Sequence, residues 1–460
     1  MDPTPPPTDA LPFREAIRVW AKIGLLSFGG PAGQIAVMHR ELVEKRRWIS
    51  DARFLHALNY CMLLPGPEAT QLAIYVGWLL HRTIGGLLAG LLFVLPGVLT
   101  MLALSVVYAL FGKLPLVAAV FFGLKAAVLA VVVEAVLRIG RKALKNGLMV
   151  AVAAVAFVAI RFFAVPFPLI VMAAGLFGFA GRWWWPRFFP ANADAQGDAG
   201  SSYLVDRWLA QGRLAHVRPS GTRAMRIAVV GIVLWLAPIA LVAFAFGGGS
   251  LLARQGMFFA QTSVVTFGGA YAVLAYVAQR AVEGFHWITP GQMLDGLALA
   301  ETTPGPLIMV LQFVGFLAAY QHESALSPMA AGVLGSLLTT WVTFAPSFMF
   351  IFLGAPYIEA LRGNRALHAA LSAITAAIVG VILNLSVWFA LHTLFGSVSL
   401  WRLGPLALEI PRWDSLQVSA ALLTAAALVA MLHFRIGMAW TLLGAGTVGA
   451  VLPWIAGHAG

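Results

Sequence analysis

At 460 residues, 60% of them apolar and only 10% charged, the chain is far too apolar for a soluble domain and reads as an integral membrane protein. Its net charge of +12 comes mostly from Arg and Lys in loops between apolar runs, which is the mark of cytoplasmic loops and argues against a nucleic-acid partner. The single cysteine, Cys61, excludes an internal disulfide, a multi-cysteine metal site and an iron–sulfur cluster, and is read as a packing residue.

Met1 to Pro12 carries three consecutive prolines and two acids where a signal peptide would place basic residues and an apolar run, so no cleavage is expected. Two interrupted apolar segments follow, Phe13 to Met38 and Phe54 to Leu80. Apolar helices are then expected over Ile84 to Phe111, Leu114 to Leu137, Gly147 to Phe163 and Phe167 to Ala180. A polar linker with seven arginines, Arg182 to Arg226, leads to one unpaired apolar helix, Ile227 to Phe246. The tryptophans at 183–185, beside Arg182 and Arg187, read as an interfacial anchor. After the linker the order repeats: Leu251 to Val277, Met293 to Ala319, Met329 to Leu353, Ala366 to Leu391, Leu416 to Leu432 and Gly437 to Ile455.

The repetition is literal. Ser27-Phe28-Gly29-Gly30, Trp48 and Pro65-Gly66-Pro67 recur 239 positions later as Thr266-Phe267-Gly268-Gly269, Trp287 and Pro304-Gly305-Pro306. An inserted stretch around Gln321 to Pro328 changes the offset to 250, after which Pro96 matches Pro346, Ala126-Ala127 match Ala376-Ala377, and Glu134 matches Asn384. Basic residues are distributed unequally between the copies. Arg40, Lys45, Arg46, Arg47 and Arg53 flank the first break, where the second copy has only Arg280, and Arg138, Arg141, Lys142 and Lys145 correspond only to Arg402 and Arg412. With one odd helix between them, the halves are therefore inverted.

The expected fold is an all-α polytopic membrane protein of two homologous halves in inverted topology. Each half has interrupted or re-entrant helices plus about four spanning helices, and one extra helix links the halves. The expected division is 1–181, a first repeat; 182–226, a cytoplasmic linker; 227–250, the unpaired helix; and 251–460, the second repeat. Re-entrant hairpins are preferred to full spans because they place the basic loops at 40–53, 81–82, 138–145, 182–226 and 362–365, and Arg435, on one side. An arm such as Arg14 to Ser27 spans ~21 Å as a helix, enough to reach mid-membrane but too short to cross.

At Phe28-Gly29-Gly30-Pro31-Ala32-Gly33-Gln34, two glycines permit a turn with positive φ and Pro31 suits the first position of a new helix. Pro65-Gly66-Pro67-Glu68 reads likewise, with Gln71 one turn in. A helix that starts inside the membrane aims its free N–H groups and dipole at an anion. The plainer reading of either motif, a kink tolerated within a bundle, loses ground to four breaks in two matched pairs. Candidate substrate-binding residues are thus Ser27, Gly29, Gly30, Gln34, Gly66, Glu68, Gln71, Thr266, Gly268, Gly269, Thr303 and Gly305, with Lys125 as countercharge.

Lys125 sits at the centre of its apolar run, where an unpaired charge costs several kcal/mol. It either faces the substrate or joins an internal ion pair, for which Glu68 is the suggested partner. Glu134, nine positions on, lies on the opposite helix face and reads as interfacial. Glu68, Asp295 and Glu301 stand beside the breaks and are the candidates for proton coupling. Glu68 could equally serve as a helix N-terminal acid complementing the dipole. His56, aligned with Asp295, reads as structural. No HExxH, GxSxG, P-loop or paired-Cys signature is present, so no catalytic centre, metal or other cofactor is expected.

At these residues the chain resembles the chromate ion transporter family of bacterial and archaeal membrane proteins. The likeness is carried by Ser27-Phe28-Gly29-Gly30-Pro31, Trp48, Leu63-Leu64-Pro65-Gly66-Pro67-Glu68-Ala69 with Gln71-Leu72-Ala73-Ile74-Tyr75, Thr266-Phe267-Gly268-Gly269 and Thr303-Pro304-Gly305-Pro306. It covers nearly the whole chain and looks like the long form with two homologous domains. It implies chromate expulsion across the bacterial inner membrane, oppositely oriented halves, and cross-recognition of sulfate, a similar tetrahedral dianion. The partners so implied are the oxyanion and the lipid bilayer, with a homodimer left open. The expectation is a secondary transporter driven by the proton-motive force. A passive anion channel, a carrier of another oxyanion such as sulfate, and, more remotely, an enzyme acting on lipid phosphates are the alternatives.

Overall fold

The computed structural model describes residues 11–28, 30–62, 64–184, 186–188, 203–217, 219–267, 270–322, 324–357, 365–404 and 406–457. Gly29, Gly268, Gly269 and Trp185, which carry sequence expectations, lie outside the described residues. Helix α1 (Phe13–Leu26) forms because Ala16, Val19, Trp20 and Ile23 recur at helical spacing and bury one face. It stops at Ser27, and α2 (Gly30–His39) begins just beyond the break with Gly30 at φ +69°. A π-helical turn, Arg40–Lys45, extends α2. Next come α3 (Asp51–Cys61), a second break, and α4 (Glu68–Phe111).

Straight, the 44 residues of α4 would extend ~66 Å, about twice a hydrocarbon core. The backbone instead leaves the helical region at His81 (φ −136°, ψ 34°) and Arg82 (φ 54°, ψ −151°), dividing α4 into an arm, 68–80, and a spanning helix, 83–111. Helices α5 (Pro115–Ala143), α6 (Gly147–Phe163) and α7 (Phe167–Trp184) complete the first half.

Both interrupted segments start and end on one face. Glu15, in the first turn of α1, accepts from Arg46 at 2.9 Å, although the tip at 27–30 lies between them in the chain. For the second segment, Arg53 in α3 donates to Asp206 at 2.8 Å, and the Trp78 carbonyl at the far end of the arm accepts from His216 at 3.1 Å. Asp206 and His216 both belong to the linker, whose helix α8 (Leu204–Ala210) docks here through the N–H groups of Leu204 and Val205 on the carbonyls of Arg47 and Trp48. These contacts make the segments re-entrant hairpins.

Helix α9 (Gly221–Phe246) rises ~39 Å over its 26 residues and carries the chain to the opposite face, so the second half starts from there, inverted. It consists of α10 (Leu251–Val265), α11 (Ala270–Val277) with a π-helical turn Ala278–Gly284, α12 (Pro290–Thr302), a 3-10 turn Leu307–Met309, α13 (Val310–Gln321), α14 (Pro328–Gly354) and α15 (Arg365–Leu394). Helices α16 (Val418–Leu432) and α17 (Met438–Gly457) end it. Six helices are long and apolar enough to cross a membrane among the described residues.

The duplication extends to single torsions. Arg47 and His286, 239 apart, hold φ of 53° and 54°, and the N–H groups of Trp48 and Trp287 close the same turn on Leu42 and Ala281. One element departs from the expected all-helical order. The loop after α15 contains an antiparallel hairpin, β1 (Val398–Leu403) with β2 (Leu406–Pro411), turning at Gly404 with φ +60°. This insertion shifts the repeat again: α6 and α16 begin at Gly147 and Val418, α7 and α17 at Phe167 and Met438, each 271 apart. Beneath the hairpin, Arg161 of α6 donates to Glu409 of β2 at 2.6 Å.

The halves are swapped where they pack. A Cβ on Gly123 of α5 would collide with the Ala445 carbonyl and Gly449 of α17, and one on Gly178 of α7 would collide with Ala369 and Ala373 of α15. Small residues let backbones approach closely in a bilayer, where packing and not water drives association. The last helix of each half, α7 or α17, thereby lies on the second long helix of the other, α15 or α5.

Candidate functional site

The four breaks converge between the halves. The N–H of Gly66 donates to the carbonyl of Thr266 and that of Gly305 to the carbonyl of Ser27, both at 2.8 Å. These are one bond seen twice, since each partner is 239 positions from its counterpart. Each Pro-Gly-Pro tip therefore abuts the residue, Thr266 or Ser27, at which the first arm of the other half ends. Gly66 and Gly305 have φ of +125° and +98°, conformations that L side chains rarely adopt. A second symmetric contact packs the long helices over these tips. A Cβ on Gly305 would meet Gly97 Cα at 2.9 Å, and one on Gly66 would meet Ser347 Oγ at 2.8 Å, Gly97 and Ser347 being 250 apart.

Several groups expected to hold an anion are engaged within the protein. The amides of Gly66 and Gly305 tie the halves together, as above. Gln34 donates to the Gly305 carbonyl and Gln71 to that of Pro65, both at 2.7 Å. The hydroxyls of Ser27 and Thr266 each bond a carbonyl one turn back at 2.6 Å, and Thr303 bonds Ala300 at 3.2 Å. What stays open is different. The hydroxyls of Thr70 and Ser347 are buried and find no hydrogen-bond partner among the described residues. Helix α4 starts at Glu68, inside the molecule, so the N–H groups of its first turn lack acceptors within the helix.

The charged residues fall into two groups along the seam of α5 and α12. Lys125 Nζ lies 3.2 Å from Asp295 Oδ1, and Tyr108 donates to Asp295 Oδ2 at 2.7 Å. Lys125 is thus in an ion pair, with Asp295 and not with Glu68. Asp295 precedes Thr303 by eight residues, ~12 Å along a helix, so the pair stands off the tips towards the face where α12 begins. Glu301 is at the tips: it is buried, accepts from Tyr271 at 2.6 Å, and its Oε2 is without a hydrogen bond among the described residues. Glu134 is half-buried, 3.5 Å from Arg138, and both act on Glu301 electrostatically. Glu68 opens α4 beside Cys61, which is buried.

Sequence reasoning missed Tyr108, Tyr271, Thr70 and Ser347. Ser347 and Gly97 had a signal, following the matched prolines Pro346 and Pro96. The two tyrosines had only their rarity, eight in the chain. Elsewhere, Trp183 and Trp184 are exposed, with Arg182 over the Trp183 ring at 5.6 Å, as an interfacial anchor requires.

A family profile described as "Chromate transporter" matches residues 14–179 and again 253–450. The chain is 34% identical over 383 residues to the chromate transport protein of Pseudomonas aeruginosa, covering 82% of this chain and 80% of that one. It is 30% identical over 372 residues to the chromate transport protein of Cupriavidus metallidurans, covering 80% of each. To a probable chromate transport protein of Synechococcus elongatus it is 27% identical over 412 residues, 86% of this chain and 91% of the other. No solved structure matches it.

Proposed function

Because the chain belongs to the chromate transporter family, we propose that it is a secondary transporter that exports chromate from the cytoplasm across the inner membrane, driven by the proton-motive force. The observation that carries this reading is the convergence of the four helix breaks through the reciprocal Gly66–Thr266 and Gly305–Ser27 bonds. A helix start inside a membrane is a place for an anion. The oxyanion's oxygens are assigned to the first-turn N–H groups of the interrupted helices and to the hydroxyls of Thr70 and Ser347, the buried donors near the Gly66 tip that the protein leaves unused. Those parts of the tips already bonded across the halves act as the joint between them, and alternating access is a rearrangement about that joint.

Lys125 supplies positive charge to the anion's path, and Glu301 and Glu68, next to the breaks, exchange the proton. Asp295 shares Lys125 and belongs to the same coupling. The basic loops and the 182–226 linker are assigned to the cytoplasm, and the two repeats, the linker and the unpaired helix are taken as the functional divisions. Sulfate, of the same shape and charge, is the competing substrate.

Chromate uptake by everted membrane vesicles tests the reading. With the membrane potential clamped, an imposed pH gradient should drive chromate above its equilibrium level. A passive anion channel would only equilibrate it. Lys125→Ala, present at normal levels in the membrane, should lose uptake by at least tenfold; unchanged uptake would remove Lys125 from the path.

A further inference from the structure

Two copies of one unit bury corresponding residues alike when they stand in the same conformation, and here the hairpins do not. Along α12, Gly291, Leu294, Asp295, Ala298 and Glu301 recur at helical spacing and form one stripe. Helix α5 covers it: Lys125 pairs with Asp295, a Cβ on Gly291 would lie 3.4 Å from Lys125 Nζ, and Glu134 and Arg138 act on Glu301 at the far end. The counterparts 239 positions earlier, on α3, are Ala52, Leu55, His56, Asn59 and Met62. There Leu55 is 45% and Met62 42% exposed, against 0% for Leu294 and 2% for Glu301. Asn59 is exposed too, where its counterpart Ala298 is buried. The other arms agree. Ala275 of α11 is buried and shares a cavity wall with Asn384 and Trp388 of α15, whereas its counterpart on α2, Ala36, is exposed.

The second half's hairpins are thus closed on the long helices, and the first half's are open. Water fits the open stripe better than lipid does, because Asn59 two turns into α3 would leave a primary amide unsatisfied in hydrocarbon, and Asp51 at the start of that helix is exposed on the same side. Resting on the reading of the chain as an alternating-access transporter, we infer that this is the state open to the linker face, and that the opposite state exchanges the two packings. In it α3 closes on α15, bringing Ala52 to Thr375 and Met62 to Asn384, while α12 leaves α5 and Lys125 parts from Asp295. Thr375 and Asn384 are the counterparts of Lys125 and Glu134 at the offset of 250. The Lys125–Asp295 pair is then the latch of the outer gate. The corresponding inner pair, His56 with Thr375, contains no acid, so the latch biases the protein towards the linker-open state.

Thiol labelling of the full chain in membrane vesicles, with Cys61→Ala as background, tests this. It needs no transported ion, so a failure of the gate and a failure of proton-driven chromate uptake are told apart. A small impermeant methanethiosulfonate should modify Asn59→Cys from the membrane side on which Gln211→Cys of the linker reacts, and should leave Ala298→Cys unmodified from either side. Asp295→Asn, which removes the latch, should raise the reactivity of Ala298→Cys from the opposite side and lower that of Asn59→Cys, each by about fivefold or more. With the latch intact, a short bifunctional thiol reagent should still bridge Ala52→Cys to Thr375→Cys as the other state is visited, a measurement that stands even where the Asn variant folds poorly. An unreactive Asn59→Cys, as expected of a stripe facing lipid or a second copy, overturns the proposal. So does equal reactivity of Asn59→Cys and Ala298→Cys, or the absence of the 52–375 bridge.

Discussion

Gly66 and Gly305 cannot be replaced cheaply, for two separate reasons. Their φ values of +125° and +98° strain any L residue, and an added Cβ would press on Ser347 Oγ and the Gln71 amide in one case and on the Gly97 backbone in the other. Each alanine substitution should cost ~1–3 kcal/mol of stability. Gly305→Ala should be the worse, because Gly97 offers backbone with no side chain to move aside; thermal unfolding of the two variants in detergent checks the order. Lys125 and Asp295 form a different kind of unit. Removing Lys125 alone leaves a buried carboxylate with only Tyr108, which should destabilise by ~3–5 kcal/mol, whereas Lys125→Met with Asp295→Leu should recover most of it. If the double variant regains the wild-type melting temperature but not chromate uptake, the pair serves transport beyond holding α5 to α12. Glu41 shows the opposite balance on the linker face. Burial opposes its charge, yet hydrogen bonds from Lys45 and Lys22 hold its carboxyl below the usual value.

The short arms are the elements that the sequence displayed best. Fourteen residues in α1 and eleven in α3 are too few to cross a bilayer, and Gly or Pro marks each tip. The β1–β2 hairpin was not legible, because its alternation is brief and lies between two long apolar helices. The docking of α8 was equally hidden, since it depends on backbone carbonyls of Arg47 and Trp48 that sequence cannot place. That contact should respond to pH through His216. Burial lowers the His216 pKa, with Arg82 and Arg223 adding to the effect and the Trp78 carbonyl opposing it. The neutral ring is therefore favoured when docked. Its stabilisation is complete above the ordinary histidine value of about 6.5 and is lost as pH falls through the lowered one. Hydrogen-exchange protection of the Leu204 and Val205 amides, corrected for intrinsic rate, should fall on acidification in wild type, and His216→Ala should abolish that dependence.

For the whole molecule, inversion and swapping are the organising facts. Helix α9 carries the chain from the linker face to the other, and α7 and α17 cross over to pack on α15 and α5. The resulting prediction concerns orientation. With Cys61 buried, Ser399→Cys in β1 should react with an impermeant maleimide added to spheroplasts, and Gln211→Cys after α8 only once they are broken. The reverse pattern would turn the proposed topology over.

Membrane residence, the duplication, its inversion and the positions of the four breaks were determined by the sequence itself. Those depend on composition, spacing and charge asymmetry, which act locally or between whole loops. Only the tertiary structure decided that the breaks meet across the halves, that Lys125 pairs with Asp295 and not Glu68, and that Gly66 and Gly305 spend their N–H groups on the opposite tip. Such partners lie more than a hundred residues apart. Which of several chemically equivalent donors or acids is used follows from how swapped helices pack, a property of no single segment.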